Sequence, residues 1–414
     1  MRSSLGFHTF TIYKRLSMRL RNTLLKDFRR YASETELVRV RPMRDNFGNR
    51  IYNSHIIEYT CGRKGLTWSI TYNAMLGDNP YIVRATINPK ILIGTKDYIA
   101  AASVIFMKDV MQIFDLEARQ ISRNLEPFSS YFLGRIDYCV NFDLKELGLA
   151  CTPQQIIKLI KQSAIPLHFE ERTEYDEIAH RKKTNANSFY LQSNSVVINC
   201  YWKYWQLKEQ DPNCESLEDS SNIIRFEVQC KYYKVQAMKG LFSENRDYCN
   251  MQSAFFSDNL ARDIIVRYFD SIIGRGDYYT LDLARRIVRS RQFKPQKEQR
   301  LIADLELVNR KQGVANARAI LQGQAREDFN RSLRELDELN INPVTIPKDW
   351  GIAQLPNLIE AYNQKVAIEK AQDAMFENLL YEERSKKHRK KKDKKKKSQE
   401  TFEYSSWVDS SDWG

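Results

Sequence analysis

Several things are scarce in this sequence of 414 residues, and each scarcity excludes something. The seven cysteines stand at 61, 139, 151, 200, 214, 230 and 249, never as a CxxC pair. That spacing offers neither a zinc knuckle nor a dithiol redox motif, and an odd number of thiols suits a reducing compartment. No apolar run approaches the roughly 18 residues that a membrane-crossing helix needs. No internal repeat is visible, which removes solenoids and propellers. The five histidines are scattered at 8, 55, 168, 180 and 388. Acids are missing from the first 26 residues, the first being Asp27. Such a basic start reads as a transit peptide, as a disordered leader or as an arm that touches nucleic acid.

Charge is unevenly spread. The net charge is +13, and the stretch from Arg384 to Lys397 holds eleven Lys and Arg against one Asp, or +10 of that total. A polyanion is attracted mainly through this tail, with Lys390, Lys391 and Lys392 in its Lys run. The body must use a local groove if it binds nucleic acid. The expected organisation is a basic leader over 1–35, an α+β domain over 36–240, a mostly helical domain over 241–380 and a disordered Lys-rich tail over 381–414.

The pattern supports that division. Ile56–Thr60 and Leu66–Ile70 flank a turn containing Gly62 and Gly65, which reads as a hairpin. Tyr81–Ile87 is a further strand, stopped by Asn88-Pro89. Helical periods follow around Met107–Leu125 and Pro153–Ser163. Strands that alternate with helices in this way predict a largely antiparallel sheet. Further along, Leu281, Ala284, Ile287 and Val288 share one helical face, and Leu301, Leu305 and Val308 another. Thr280 is placed to cap the first of these basic helices. The pair has a helix-turn-helix flavour, suited to reading a duplex or simply to packing.

Three segments share an unusual construction. Arg135–Asp143 separates Ile136, Tyr138, Val140 and Phe142 from Arg135, Asp137, Asn141 and Asp143. Ile224–Lys231 separates Ile224, Phe226, Val228 and Cys230 from Arg225, Glu227, Gln229 and Lys231. Val196–Lys203 separates Val196, Ile198, Cys200 and Trp202 from Val197, Asn199, Tyr201 and Lys203. One wet face is common in antiparallel sheets. As neighbours, however, these strands would gather carboxylates, cations and a phenol on one face. Carboxylates hold Mg²⁺ or Mn²⁺, the ion polarises a phosphate, tyrosine attacks, and cations offset the developing charge. Trp202, Tyr204, Trp205, Tyr232 and Tyr233 are available to stack unpaired bases.

In these segments the sequence resembles the Rep_trans replication-initiation family of plasmid rolling-circle initiators and related relaxases of conjugative elements. The shared order is Arg135-Ile136-Asp137 with Asp143, then Tyr190 and Ser193, then Tyr201-Trp202-Lys203, and last Arg225-Phe226-Glu227 with Lys231. It spans about residues 80–235. The resemblance implies Tyr201 as nucleophile, with Lys203 and Arg225 beside it, and Asp137 and Glu227 as ligands of Mg²⁺ or Mn²⁺. DNA is the implied partner, an origin in single-stranded or cruciform form. Arg135, Trp202 and Lys231 are the expected contacts. Host helicase and polymerase, a dimer and a bacterial cytoplasm belong to the same picture, with no membrane. Three positions depart from the family: Thr86 for a Glu in Arg84–Pro89, Asn199 for an Arg, and Gln192 for a Gly. Nor does any histidine pair follow the His-hydrophobic-His pattern of the other tyrosine nucleases. A conjugative relaxase and a non-catalytic DNA-binding protein on the same fold stay open, as does an RNA-binding protein with a coincidental pattern. Tyr190 and Tyr204 are the fallback nucleophiles.

Overall fold

The computed structural model describes residues 4–375 apart from 46, 61–63, 96–98, 172–173, 177–180, 184 and 242–253. Lys390, Lys391 and Lys392, and the disorder expected of the tail, lie outside the described residues. The chain divides into a unit over 1–359 and a second over 360–414, whose described residues, 360–375, are helical.

The first unit is α+β, built on one antiparallel sheet of ten strands. Its strands are β1 (Leu5–Leu16), β2 (Val38–Arg44), β3 (Arg50–Tyr59), β4 (Leu66–Tyr72), β5 (Tyr81–Ile87), β6 (Phe132–Asp143) and β7 (Glu170–Glu171). After a separate hairpin, β8 (Glu174–Asp176) and β9 (Arg181–Lys183), come β10 (Ser188–Gln192), β11 (Val196–Trp202) and β12 (Ile223–Cys230). The spatial order is β2-β3-β4-β5-β1-β6-β12-β11-β10-β7.

The first correction concerns the leader. Residues 5–16 are a central strand, paired with β5 on one side and β6 on the other. Phe7, Phe10, Ile12 and Leu16 are buried, and the acid-free stretch runs on into the helix Met18–Thr35, capped by Ser17 accepting from the Leu20 N–H at 3.3 Å. Arg15 near the end of the strand and Arg19 and Lys26 on the helix are exposed, so these charges do not oppose burial of the apolar set. The α+β domain therefore starts near residue 5 and not at 36.

Elsewhere the elements follow the pattern. β3 and β4 pair as the expected hairpin, with Ile57 opposite Trp68. Pro89 opens a short helix that Asn88 caps. Helices Met107–Ile121 and Pro153–Ile160 match the helical periods; Thr152 and Gln155 form a reciprocal capping box on the second.

One face of the sheet is apolar and covered by helices. Phe269 of the helix Asp258–Ile272 packs on Phe142 and Phe226 at 5.9 and 5.3 Å between ring centroids. Phe256 packs on Phe7 and Phe10 at 5.1 and 4.9 Å. Trp68 meets Phe114 at 5.2 Å. Burial of these rings is the main force holding helices to sheet, each worth about 3–5 kcal/mol against truncation to alanine. The later helices form their own cluster. Ala284 and Val288 pack with Leu301, Leu305, Leu336 and Ile341, so the two expected helical faces are buried against each other and against the helix Gly323–Glu338. Thr280 occupies the cap position without a side-chain capping bond.

Candidate active site

The opposite face of the sheet is polar, and its centre is formed by β1, β6, β12 and β11 in that order. Register decides what meets. Tyr201 stands opposite Arg225, Asn199 opposite Glu227, and Gln229 opposite Asp137. Because side chains alternate, all of these lie on one face. Asp137 and Glu227 are therefore diagonal neighbours, at a Cα separation of about 7–8 Å.

The Tyr201 hydroxyl donates to Glu227 Oε2 at 3.3 Å. His8 Nδ1 lies 3.5 Å from the same oxygen. His8 reaches this place because β1 carries one extra residue between Phe7 and Phe10, against the two-residue step from Tyr138 to Ile136 on β6. Such a bulge re-aims side chains, and here it turns both His8 and Thr9 onto the polar face. On its far side, His8 Nε2 is 3.4 Å from Asn88 Nδ2. The Asn88 oxygen accepts from the Ile91 N–H at 3.3 Å, so its amide nitrogen faces the ring as a donor. Nε2 therefore accepts, and Nδ1 carries the proton toward Glu227. Neither His8 nor Asn88 was assigned a site role from sequence; the bulge breaks the alternation that would have placed His8 beside Glu227.

The cations around Glu227 are buried. Arg225 is fully buried; its Nε donates to Asn141 Oδ1 at 2.8 Å, another of its nitrogens donates to the Ile99 carbonyl, and its guanidinium stands against the Tyr201 phenol. Lys203 is 2% exposed, donates to Gln206 Oε1 at 2.7 Å and has its Nζ 6.0 Å from the centre of the Tyr201 ring. Burial would raise the Glu227 carboxyl, but its hydrogen bond and charge interaction with His8, then Arg225 and Lys203, bring it down to about 2. His8 is lowered to about 4, by burial first and by the charge of Arg225 next. At neutral pH the pair is thus an ionised Glu227 and a neutral His8. Burial, with the Glu227 charge, pushes the Tyr201 phenol well above its ordinary value, against the pull of Arg225. The phenol is therefore protonated at neutral pH.

Asp137 is 1% exposed and engaged on both oxygens. Arg135 Nε donates to Oδ1 at 2.9 Å and its NH2 to Oδ2 at 2.6 Å, with Thr9 donating to Oδ2 as well. Burial raises the Asp137 carboxyl and the Arg135 charge opposes that rise. Among the described residues no three His, Cys, Asp or Glu side chains are grouped so as to hold a metal ion. The side chains as they stand do not fit the expected Mg²⁺ or Mn²⁺ centre, because Arg135 already supplies the cation beside Asp137. Thr86, where the resemblance would place a Glu, sits on β5 with its hydroxyl 3.2 Å from that of Thr11, so no third carboxylate comes from there.

Other expected residues are placed elsewhere. Trp202 follows Tyr201 and so points to the opposite face, where its Nε1 donates to the Ser221 carbonyl at 2.8 Å. It stacks on Tyr204, which belongs to the helix Lys203–Gln210 and not to the strand. Lys231 donates to the Ser193 carbonyl at 2.8 Å and so ties down the β10–β11 turn. Neither joins the Tyr201 cluster. Tyr190 does share its face, standing opposite Asn199 on β10.

Among the described residues no helix is long and apolar enough to cross a membrane. No family model matches the chain, and no curated protein matches it. Among solved structures, a rolling circle replication initiator protein from Geobacillus stearothermophilus is similar over 65% of this chain and 85% of its own, at 9% identity and a TM-score of 0.30.

Proposed function

We propose that this chain cuts and rejoins one strand of DNA through Tyr201, as an initiator of rolling-circle replication does. The observation that carries the reading is the meeting of the Tyr201 hydroxyl with the ionised Glu227, inside a ring of Arg225, Lys203 and Arg135. A relaxase of a conjugative element would use the same chemistry. A purely DNA-binding protein would have no use for a phenol aimed at a buried carboxylate.

In this reading Tyr201 Oη attacks the scissile phosphorus and its proton passes to Glu227. The bond from phosphorus to the 3′ oxygen breaks, and that oxygen takes a proton from solvent and leaves as a 3′-hydroxyl. The product is a 5′-phosphotyrosyl link, which keeps the energy of the broken phosphodiester and lets the strand rejoin without ATP. His8, held by Asn88, keeps Glu227 oriented. Arg225 and Lys203 offset negative charge as the phenol loses its proton, and Arg135 offsets it on the phosphate. Glu227 lies far below the phenol in basicity, so these cations must lower the phenol toward it during attack. No step depends on a metal.

The test is covalent capture. The full-length protein is mixed with a pool of single-stranded oligonucleotides randomised over their centre, and adducts that survive detergent are counted. Wild type should form them. Tyr201→Phe keeps the ring and removes the nucleophile, and should form none while still binding the pool. Adducts in the Phe variant would contradict the assignment and turn attention to Tyr190. Repeating the capture in EDTA should leave adducts in place. Their disappearance would mean that Arg135 yields Asp137 to a divalent ion in the working state.

A further inference from the structure

Beside the site, the same polar face opens into a groove of about 690 Å³ across β4, β5, β1 and β6. Tyr13, Arg15, Arg84, Arg135, Tyr232 and Tyr233 are among its walls, and no Asp or Glu is among its described lining residues. Tyr232 and Tyr233 are 44% and 71% exposed. Their rings meet edge-on at 5.6 Å, and Tyr13 meets Tyr232 at 5.9 Å. Arg84 donates to the Thr71 hydroxyl, an uncharged partner that leaves its positive charge unneutralised. Arg135 belongs both to the groove and to the fork on Asp137, so this one side chain stands where the groove meets the site.

This chemistry selects its occupant. Guanidinium groups without lining carboxylates attract a phosphate backbone, and exposed tyrosines stack only on bases that are unpaired. A duplex hides its base faces, so it gains nothing from Tyr232 and Tyr233. The occupant this chemistry fits is a nucleic-acid single strand, which the reaction proposed for Tyr201 makes DNA.

Direction follows from the order of strands. Tyr201 is on β11, Glu227 on β12, Arg135 on β6, and the groove continues over β1, β5 and β4. In phosphoryl transfer the attacking and leaving oxygens are roughly in line. A phosphate reached by Tyr201 and held at Arg135 has its leaving 3′ oxygen on the β1 side. From β6 to β4 is three strand spacings, about 14 Å, enough for a few nucleotides. We propose that the groove holds the nucleotides immediately 5′ of the scissile phosphate, the part of the strand that departs with the 3′-hydroxyl. The direction rests on the reaction proposed for Tyr201; the identification of the groove as a single-strand site does not.

Two measurements on the full-length protein separate these claims. The first is equilibrium binding of labelled oligo-thymidine. Tyr232→Ala and Tyr233→Ala should each weaken it by about tenfold, and Tyr233→Trp should restore it by keeping a stacking surface. Both side chains are exposed, so thermal unfolding of these variants should match wild type. Unchanged affinity in both alanine variants overturns the groove. The second uses an adduct-forming oligonucleotide recovered from the randomised pool. Trimming it on the 5′ side of the nick should slow wild type by about tenfold and slow the Tyr232→Ala, Tyr233→Ala protein far less. Trimming on the 3′ side should slow both equally. The reverse pattern overturns the direction. Weakened oligo-thymidine binding in the variants, with no adduct from wild type on any substrate, supports the groove and overturns the nicking reaction together with the direction.

Discussion

The polar face of the sheet is built in two ways along its width. Over β6, β12 and β11 it is closed: Asp137, Asn141, Lys203 and Arg225 are all buried, and each has a named partner. Ile99 lies over this end, accepting from Asn141 and Arg225, and the segment is drawn against β1 by paired Phe7 and Ala102 backbone bonds of 2.9 Å. Gly6 is required there, since a Cβ would stand 2.1 Å from the Ala102 carbonyl oxygen. Over β4, β5 and β1 the same face is open, and Arg15 and Arg84 reach the groove. Buried charge is tolerable only when paired, and pairing fixes its position. Exposed charge is cheap and loosely placed. The closed end therefore suits chemistry that depends on positions, and the open end suits holding a flexible polyanion.

If that contrast is right, the closed end is the more fragile. The largest effect is expected from Glu227→Gln, which keeps size and removes the base. Adduct formation should fall by about 10²–10⁴-fold, with oligo-thymidine affinity little changed. A rate within a few-fold of wild type would remove Glu227 from the reaction. Next comes a matched pair of arginines. Arg225→Met strands the Asn141 and Ile99 acceptors and removes one of the two buried cations that offset Glu227, costing about 3–5 kcal/mol in denaturant unfolding. Arg15→Met, on the open side, should change stability by less than about 0.5 kcal/mol. Equal losses would erase the distinction between the two ends.

A smaller effect is expected from pH. The ordinary histidine value of 6.5 falls to about 4 for His8 in the fold. Between those values the unfolded chain binds the extra proton and the folded one does not. Stability contributed by a neutral His8 is thus full above about 6.5 and lost as pH falls toward about 4. Glu227, depressed to about 2, contributes stability above its usual 4.5 that is lost only at lower pH still. His8→Asn should flatten the stability profile between pH 6.5 and 4, as measured by urea unfolding. An unchanged slope would assign that loss to other groups.

How much of this was legible in the sequence varies with how regular each strand is. β6, β11 and β12 alternate without interruption, so their two faces followed from period two alone, while the convergence of Tyr201, Glu227 and Asp137 needed the strand order that makes them neighbours. β1 does not. Its bulge spaces Phe7 and Phe10 three apart, which hides the strand and leaves a basic, acid-free stretch that resembles a leader. His8 was hidden with it. The partnership of Arg135 with Asp137 was open to inference, as residues two apart on a strand share a face, yet both had been given to other partners, DNA and a metal ion. In the sequence Asn88 reads, with Pro89, as a strand stop. Only the fold shows that the same amide orients His8.

The central claim is that the nucleophile is Tyr201, drawn from a chain with 22 tyrosines. Its most direct test is to digest the detergent-stable adduct and find the modified residue by mass spectrometry. The account predicts a nucleotide phosphate carried on the peptide containing Tyr201, attached through the phenolic oxygen. A phosphate on Tyr190 would keep the reaction and contradict the site; a strand cleaved with no protein-bound phosphate would contradict the chemistry itself.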